Sequence, residues 1–371
     1  MERVVVGLSG GIDSAVALFL LQKAGYSCVG VQMRYWAEQP EVCDIGTNRF
    51  TKAMFNKCCS DESMLISRRV CAFLGVPFYA HDVQETFYEN IVDPYLKDYN
   101  EGLTPNPCTH CNKTIKFGAL MDFADSIGAS YVATGHYARL VEREGIKHIA
   151  EAKDPSKDQS YFLYALSNQQ RARILLPLGE MQKTQVKQLA EEVGLSMFKK
   201  SYKESQGLCF FPERTPDAFL ERHASPAMRT SGPMIDQKGR VLGTHKGLAH
   251  YTVGQRRGID LGGLPEPYFV IERKIEENTV VIGPKQYLYT TEATLDKVTL
   301  TSKETTPKKV QVRIRYRMEK APALLDPQED GHATLRFLSP VFAITPGQIA
   351  VLYDENTVIG GARIRSTHIT P

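Results

Sequence analysis

Apolar and polar positions divide the chain into two textures. In the first, short apolar runs alternate with amphipathic stretches. Val4, Val5 and Val6 form a β-like run, and an apolar, helix-like segment follows from Ala15 to Ala24. Gly25 suits the end of that helix. Cys28 to Met33 reads as a buried second strand. Asp61 to Leu74 places Met64, Leu65, Val70, Phe73 and Leu74 at helical spacing, with Gly75 to end it and a short strand from Val76 to Ala80. Glu85 to Tyr99 is expected to be helical with a break at Pro94. Pro105 and Pro107 should keep the next stretch extended, and a helix is expected from about Lys113 to Ile127. Tyr131 to Thr134 is another strand, and Gln182 to Val193 an amphipathic helix closed by Gly194. This strand–helix alternation predicts an α/β fold, a doubly wound parallel sheet.

The second texture begins near Pro212. The segment to about Gly283 is rich in glycine and turns, and from about Pro284 to Pro371 short alternating strands predominate. A small antiparallel β-barrel or sandwich is expected there. The expected domains are therefore 1–211, 212–283 and 284–371. Between Arg34 and Ser60 lies a polar, irregular insertion carrying Cys43, Cys58 and Cys59, with no role to assign.

At 371 residues, two or three domains are expected. The formal net charge is only +3, so a polyanion could be held only by a local patch. Lys308 to Lys320 offers one. Lys308, Lys309, Arg313, Arg315, Arg317 and Lys320 stand against the single acid Glu319, and basic and apolar positions alternate at strand period. A solvated strand face would look the same. The first strand begins at once, leaving no room for a signal peptide, and no apolar run is long enough to span a bilayer. A cytoplasmic protein with no membrane partner is expected. Eight cysteines then suggest core packing, metal binding or catalysis more than a disulfide framework.

The chemistry starts at Gly7-Leu8-Ser9-Gly10-Gly11-Ile12-Asp13-Ser14. Strand, glycine turn and helix together present backbone N–H groups to an anion. No lysine follows the glycines, which excludes a Walker A loop. Cys108 and Cys111 form a C-x-x-C that reads as half a zinc site, a redox pair or a reactive thiol near a helix start. Cys209 follows a polar stretch and precedes the apolar pair Phe210-Phe211. Cys28 and Cys71 lie in apolar patterns and read as core.

Ser-Gly-Gly-x-Asp-Ser resembles the pyrophosphate loop of the ATP pyrophosphatases. Five stretches resemble one family, the tRNA-specific 2-thiouridylases: that loop, Asn106-Pro107-x-x-x-Cys111-Asn112, Thr134-Gly135-His136-Tyr137, Lys157-Asp158-Gln159-Ser160-Tyr161 and Gly207-x-Cys209-Phe210. Gly254-Gln255-Arg256, Arg315-Tyr316 and Thr345-Pro346-Gly347-Gln348 extend the resemblance over nearly the whole chain, in order. It implies an adenine nucleotide α-hydrolase-like N-terminal domain, a small central domain and a C-terminal β-barrel. It implies replacement of the C2 oxygen of the wobble uridine by sulfur. ATP would adenylate that oxygen, and a protein persulfide would deliver sulfur.

By position, Gly7, Leu8, Ser9, Gly10, Gly11, Ile12, Asp13 and Ser14 would hold ATP, with Asp13 helping to place Mg²⁺ and with Met33 and Gly135 lining the adenosine side. Cys209 would carry the persulfide and Cys111 would be its partner nucleophile, the two pairing as a disulfide during turnover. Asn106, Pro107 and Cys108 would contact the flipped base. His136, Lys157, Asp158, Gln159, Arg315, Tyr316 and Gln348 would touch tRNA. The sulfur donor would be a cysteine desulfurase or a persulfide relay protein.

Cys108 departs from family members that carry Asp there. With Cys111 and Cys209 it supplies three thiols, which could hold an iron–sulfur cluster or relay a persulfide without metal; both stay open. Two other classes compete. A small-molecule synthetase, such as an amidotransferase-linked one, would need neither Cys111 and Cys209 nor the basic strand. A non-catalytic, cysteine-ligated RNA-binding protein would not need the Ser9–Ser14 loop.

Overall fold

The computed structural model describes residues 1–36, 38, 60–195, 208–211, 216–264, 266–301 and 306–368. Cys43, Cys58, Cys59 and Gly207 lie outside the described residues. The chain forms two compact units, Met1–Val92 with Cys108–Thr215, and Asp93–Pro107 with Pro216–Pro371.

The first unit is built on five parallel strands in the order Phe78–Asp82, Ser27–Arg34, Arg3–Leu8, Tyr131–Thr134, Ile174–Leu175. Val4, Val5 and Val6 are fully buried, as befits a central strand covered on both faces. Val4, Val6, Val16, Leu18 and Val186 pack into one core. The helix Asp61–Leu74 lies where its periodicity put it. The Ser60 hydroxyl caps its start by accepting from the Ser63 N–H, and Gly75 ends it at φ 65°. Cys28 and Cys71 are core residues. Burial pushes their thiols up to about 11 and about 12, which makes them poor nucleophiles.

The strand order reverses between Arg3–Leu8 and Tyr131–Thr134, which pair directly. The carboxyl ends of these two strands therefore flank the switch point where ligands bind in such sheets.

Three expectations are corrected. The helix after Val83 does not break at Pro94. Gln84–Phe87, Tyr88–Val92 and Asp93–Asn100 run on, and Tyr88–Val92 is wound wider, with i→i+5 spacing. That widening covers Asn90, whose carbonyl a proline at 94 would otherwise strike. Second, the helix expected near Lys113 begins at Pro107, as Pro107–Cys111, Asn112–Ala119 and Leu120–Ser126. Proline suits a first helical position, so Pro107 starts the helix instead of delaying it. Third, the basic strand stops at Arg313. Met318 N–H bonds to the Arg315 carbonyl and Arg317 has φ 69°, so Arg315 to Arg317 lie in a turn.

The second unit holds a mixed four-stranded sheet, Tyr268–Lys274, Thr279–Pro284, Gly232–Ile235 and Val241–His245, in which only the middle pairing is parallel. It also holds a closed antiparallel barrel in the order Tyr289–Leu300, Ala333–Phe342, Ala321–Pro327, Lys308–Arg313, Ile349–Asp354, Thr357–His368. The last strand returns to pair with the first, which decides for a barrel over a sandwich. Leu295, Val312, Leu325, Leu335, Leu352 and Ile364 fill it.

Candidate functional site

The glycine turn after Leu8 is shaped by close backbone approach. Gly10 has φ 70°, and a Cβ there would lie 2.7 Å from Ser63. Gly10 N–H donates to Ser67 Oγ at 3.0 Å. Ser14 Oγ donates to the Gly11 carbonyl at 3.0 Å and accepts from Ser9 N–H at 3.3 Å, with Ser9 Oγ at 3.4 Å. No side chain caps the helix Ile12–Lys23 at Gly11. Its first-turn N–H groups are thus the natural anion site. Leu8, Ile12 and Met33 are buried, so Leu8 and Ile12 can offer a ligand only backbone. Gly135 meets the loop from the neighbouring strand. A Cβ on it would lie 2.7 Å from the carbonyl carbon of Asp13 and the nitrogen of Ser14.

Asp13 is the electrostatic centre of the loop. Lys183 Nζ donates to its two carboxylate oxygens at 2.6 and 2.8 Å, and Tyr137 Oη donates to Oδ1 at 2.7 Å. Lys183 is buried, and its backbone N–H donates to Asp154 Oδ2 at 3.0 Å. Sequence reasoning missed Lys183. One signal was present: a lysine at the first position of Lys183–Glu192 opposes the helix dipole, and such a placement needs a compensating acid.

His136 follows Gly135 and is buried. Its Nδ1 lies 2.7 Å from Thr134 Oγ1, and its ring is 5.7 Å from Phe117. Burial pushes the imidazole down to about 3, with Lys116 adding to the effect, so the ring is neutral and cannot serve as a cation for phosphate. Asp158 is also buried. It accepts from Ala152 N–H, Ser160 N–H and Ser160 Oγ at 3.0, 3.2 and 2.9 Å. Gln159 Oε1 accepts from Tyr137 N–H at 2.9 Å, and Gln159 N–H donates to the Tyr137 carbonyl at 2.8 Å. Asp158 and Gln159 therefore shape the loop beneath Tyr137, while Lys157 is half-buried.

The thiols sit on two elements. Cys108 occupies the first turn of the Pro107–Cys111 helix and is half-buried, whereas Cys111 is only 5% exposed. Cys108, and not Cys111, therefore stands at the helix start. Asn112 Nδ2 donates to the carbonyls of Cys108 and Phe162 at 3.0 and 3.3 Å, tying this turn to the segment after Gln159. Cys209 is half-buried beside Phe210, whose ring stands 6.1 Å from Phe87. Among the described residues no three Cys, His, Asp or Glu side chains gather closely enough to hold a metal ion. Cys108, Cys111 and Cys209, all described, do not form a cluster cradle as placed.

In the second unit, Arg315 Nη2 donates to Thr345 Oγ1 at 3.0 Å and Gln348 Nε2 donates to the Thr104 carbonyl at 2.7 Å. Tyr316 and Asn106 are half-buried, and Pro107 is buried.

The parallel sheet, its reversal of strand order and the uncapped glycine loop at that reversal define a HUP-type nucleotide-binding protein carrying additional β domains. The tRNA methyl transferase HUP domain model matches residues 2–213, its PRC-barrel domain model 217–284 and an aminomethyltransferase β-barrel domain model 290–364. Proteins named tRNA-specific 2-thiouridylase MnmA align end to end. The one from Clostridium perfringens is 38% identical over 367 residues, covering 98% of this chain and 99% of the relative. That from Clostridium acetobutylicum is 37% identical over 366 residues (98% and 99%), and that from Lysinibacillus sphaericus 39% over 369 residues (98% and 94%). The chain belongs to the tRNA-specific 2-thiouridylase family.

Proposed function

We propose that this protein is a tRNA-uridine 2-sulfurtransferase that works by adenylation followed by persulfide transfer. The observation that carries the reading is the glycine loop at the sheet's switch point in a chain aligned over 98% of its length with 2-thiouridylases. ATP phosphates would sit on the N–H groups at Gly11 to Ser14, with the base and ribose toward Met33 and Gly135. Asp13 is a single acid already bridged by Lys183. It does not make a resident Mg²⁺ site, so the ion would arrive with ATP, coordinated chiefly by phosphate oxygens and water. Lys183 is positioned to exchange one carboxylate contact for a phosphate oxygen.

The C2 oxygen of the extruded wobble uridine attacks the α-phosphorus, and pyrophosphate leaves. A persulfide on Cys209, loaded by a cysteine desulfurase or a relay protein, attacks C2, and AMP departs with the oxygen. The Cys111 thiolate then attacks the Cys209 sulfur. The S–S bond to the product breaks, 2-thiouridine is released and a Cys111–Cys209 disulfide remains for an external thiol to reduce. Extrusion is needed because C2 is out of reach in a stacked base. Asn106, Pro107 and Cys108 would line the flipped base. Lys157, Tyr316, Lys308, Lys309, Arg313 and Arg317 would meet the tRNA backbone. We assign catalysis to 1–211 and RNA binding to 212–283 and 284–371. Among the described residues no helix is long and apolar enough to cross a membrane; we place the protein in the cytoplasm with its tRNA.

The test is Cys111→Ser and Cys209→Ser, each assayed for 2-thiouridine and for ATP binding. Both should lose thiolation and keep ATP. Full sulfur transfer by either variant would overturn the two-cysteine mechanism.

A further inference from the structure

The helix that carries the thiols changes its winding at Asn112. Pro107–Cys111 is an ordinary helical turn, whereas Asn112–Ala119 is wound with i→i+5 spacing. Asn112 is buried. Its Nδ2 donates in two directions, to the Cys108 carbonyl four residues back at 3.0 Å and to the Phe162 carbonyl at 3.3 Å. Its Oδ1 is buried and has no hydrogen-bond partner among the described residues. The two donated bonds therefore fix how the amide lies, because the reverse orientation would set Oδ1 against two carbonyl oxygens. A polar side chain kept in the interior with an unsatisfied acceptor calls for a reason beyond packing.

Phe162 is a firm anchor. It lies in the single turn Ser160–Leu163, in which Ser160, Tyr161 and Leu163 are buried. Phe162 N–H donates to the Gln159 carbonyl at 3.0 Å, and Gln159 is bonded in turn to both backbone groups of Tyr137. Tyr137 Oη donates to Asp13. A continuous hydrogen-bonded path thus runs from the glycine loop through Tyr137, Gln159 and Phe162 to Asn112 and the turn that carries Cys108. All of it lies within the first unit. Past Asn112 the helix has its own hold. Gln170 Nε2 donates to the Lys113 carbonyl at 2.8 Å, and Ile115 and Phe117 are fully buried.

We propose that Asn112 is a positioning residue that keeps Cys108 and Cys111 in register with the nucleotide loop, acting through the Phe162 and Cys108 carbonyls and touching neither substrate. The assignment rests on the reading of Cys111 as a reacting thiol and of Gly11 to Ser14 as the ATP site. Adenylation acts on the C2 oxygen and sulfur on C2 itself, so loop and thiol turn must stand at a set distance. A misplacement of about 1 Å at a reacting group costs about 10²-fold in rate. Sulfur transfer feels the loss of Asn112, whereas ATP meets the loop at groups that Asn112 does not hold.

The experiment measures single-turnover thiolation at saturating ATP and tRNA, both affinities, and iodoacetamide labelling of each cysteine by mass spectrometry, for Asn112→Leu, Asn112→Ser and Cys111→Ser. Leucine matches asparagine in size and removes the donors, and the lost Oδ1 had no partner. In Asn112→Leu the maximal rate should fall about 10- to 100-fold while both affinities stay within about twofold. Cys111, 5% exposed, should label at least about fivefold faster as its turn frays, with Cys28 and Cys71 unchanged. Serine can still bond the carbonyl four residues back but falls short of Phe162. Asn112→Ser should therefore keep Cys111 labelling near that of the wild type and still slow thiolation at least about tenfold. Thiolation by either Asn112 variant at the wild-type rate, beside an inactive Cys111→Ser, overturns the assignment. Faster labelling of Cys28 and Cys71 together with Cys111 in both variants makes Asn112 a brace of the whole fold and overturns it too. So does a lost tRNA affinity with an intact saturated rate. If Cys111→Ser itself thiolates at the wild-type rate, the fault lies in the reading of Cys111, and the assignment falls with it.

Discussion

Lys183→Met is the substitution that most directly tests the nucleotide site. Lys183 Nζ is bound by both oxygens of Asp13, with the lysine side chain 9% and the carboxylate 31% exposed. Unit charges about 4 Å apart attract by about 4 kcal/mol at an effective dielectric of 20. Desolvation offsets most of that, and Asp13 remains partly hydrated after the lysine is gone. The fold should therefore lose only about 1–2 kcal/mol, a modest shift in the unfolding midpoint. Catalysis should lose more. A preorganised donor aimed at charge developing on a transferring group is worth about 10²- to 10³-fold in rate. The assay is tRNA-dependent pyrophosphate release at saturating ATP, compared for Lys183→Met, Asp13→Asn and the double variant. Because Asp13 acts partly by holding Lys183, the double variant should be scarcely slower than Lys183→Met alone. AMP formation by Lys183→Met within about threefold of wild type, against the expected 10²-fold, would refute the reasoning.

His136 makes the protein acid-sensitive in a defined window. Its imidazole stays neutral down to about 3 in the fold, whereas in the unfolded chain it takes a proton near 6.5. The unfolded state therefore binds more protons between those values, and stability falls as pH falls through 6.5. At pH 5 the loss from this one group is about 2 kcal/mol. Urea unfolding at pH 7.5 and pH 5.0 should show His136→Gln losing about 2 kcal/mol less than wild type between the two; equal losses would mean the buried ring is charged or absent from the balance. Gly135→Ala should weaken ATP binding at least about tenfold by forcing the two loops apart, at a stability cost of about 1–3 kcal/mol. Calorimetric titration with ATP checks it, and unchanged affinity would show that the contact at Gly135 does not shape the site.

The parallel sheet, the glycine turn after the first strand and the antiparallel strands of the C-terminal region were legible because each is written in local periodicity and glycine placement, whereas the choice of barrel over sandwich needed the pairing of the last strand with the first. Val4 to Val6, Gly75 and the alternation at Val310 and Val312 mean the same thing in any tertiary setting. Misreadings arose where one residue has opposite uses. Pro107 could extend or start a helix, and only the surrounding packing makes it a first helical residue. Pro94 would break an ordinary helix, but a wide turn absorbs it. Arg315 continues the strand alternation on paper, yet the chain turns at Arg317. Lys183 at its helix start signalled only that some acid must compensate it; the partner Asp13 stands 170 positions earlier, and no spacing rule links them.

The motifs also divide in a way that their residue types do not announce. Asp158, His136, Gln159, Arg315 and Gln348 were expected to touch RNA because the family resemblance places tRNA contacts at those positions. Asp158 and His136 are buried, and a buried polar group must be paired within the protein or destabilise it. Each of the five makes a hydrogen bond to its own chain: Asp158 with Ser160, His136 with Thr134, Gln159 with Tyr137, Arg315 with Thr345, Gln348 with Thr104. Gln159 thereby braces the loop that carries Tyr137, and Arg315 and Gln348 brace the barrel turn at 345–348 and the strand at Thr104. Replacing one of them should change rate more than affinity, whereas replacing a basic residue whose charge meets phosphate should change affinity and its salt dependence. The same variants assayed both ways therefore separate the parts of the family pattern that bind RNA from those that aim the chemistry.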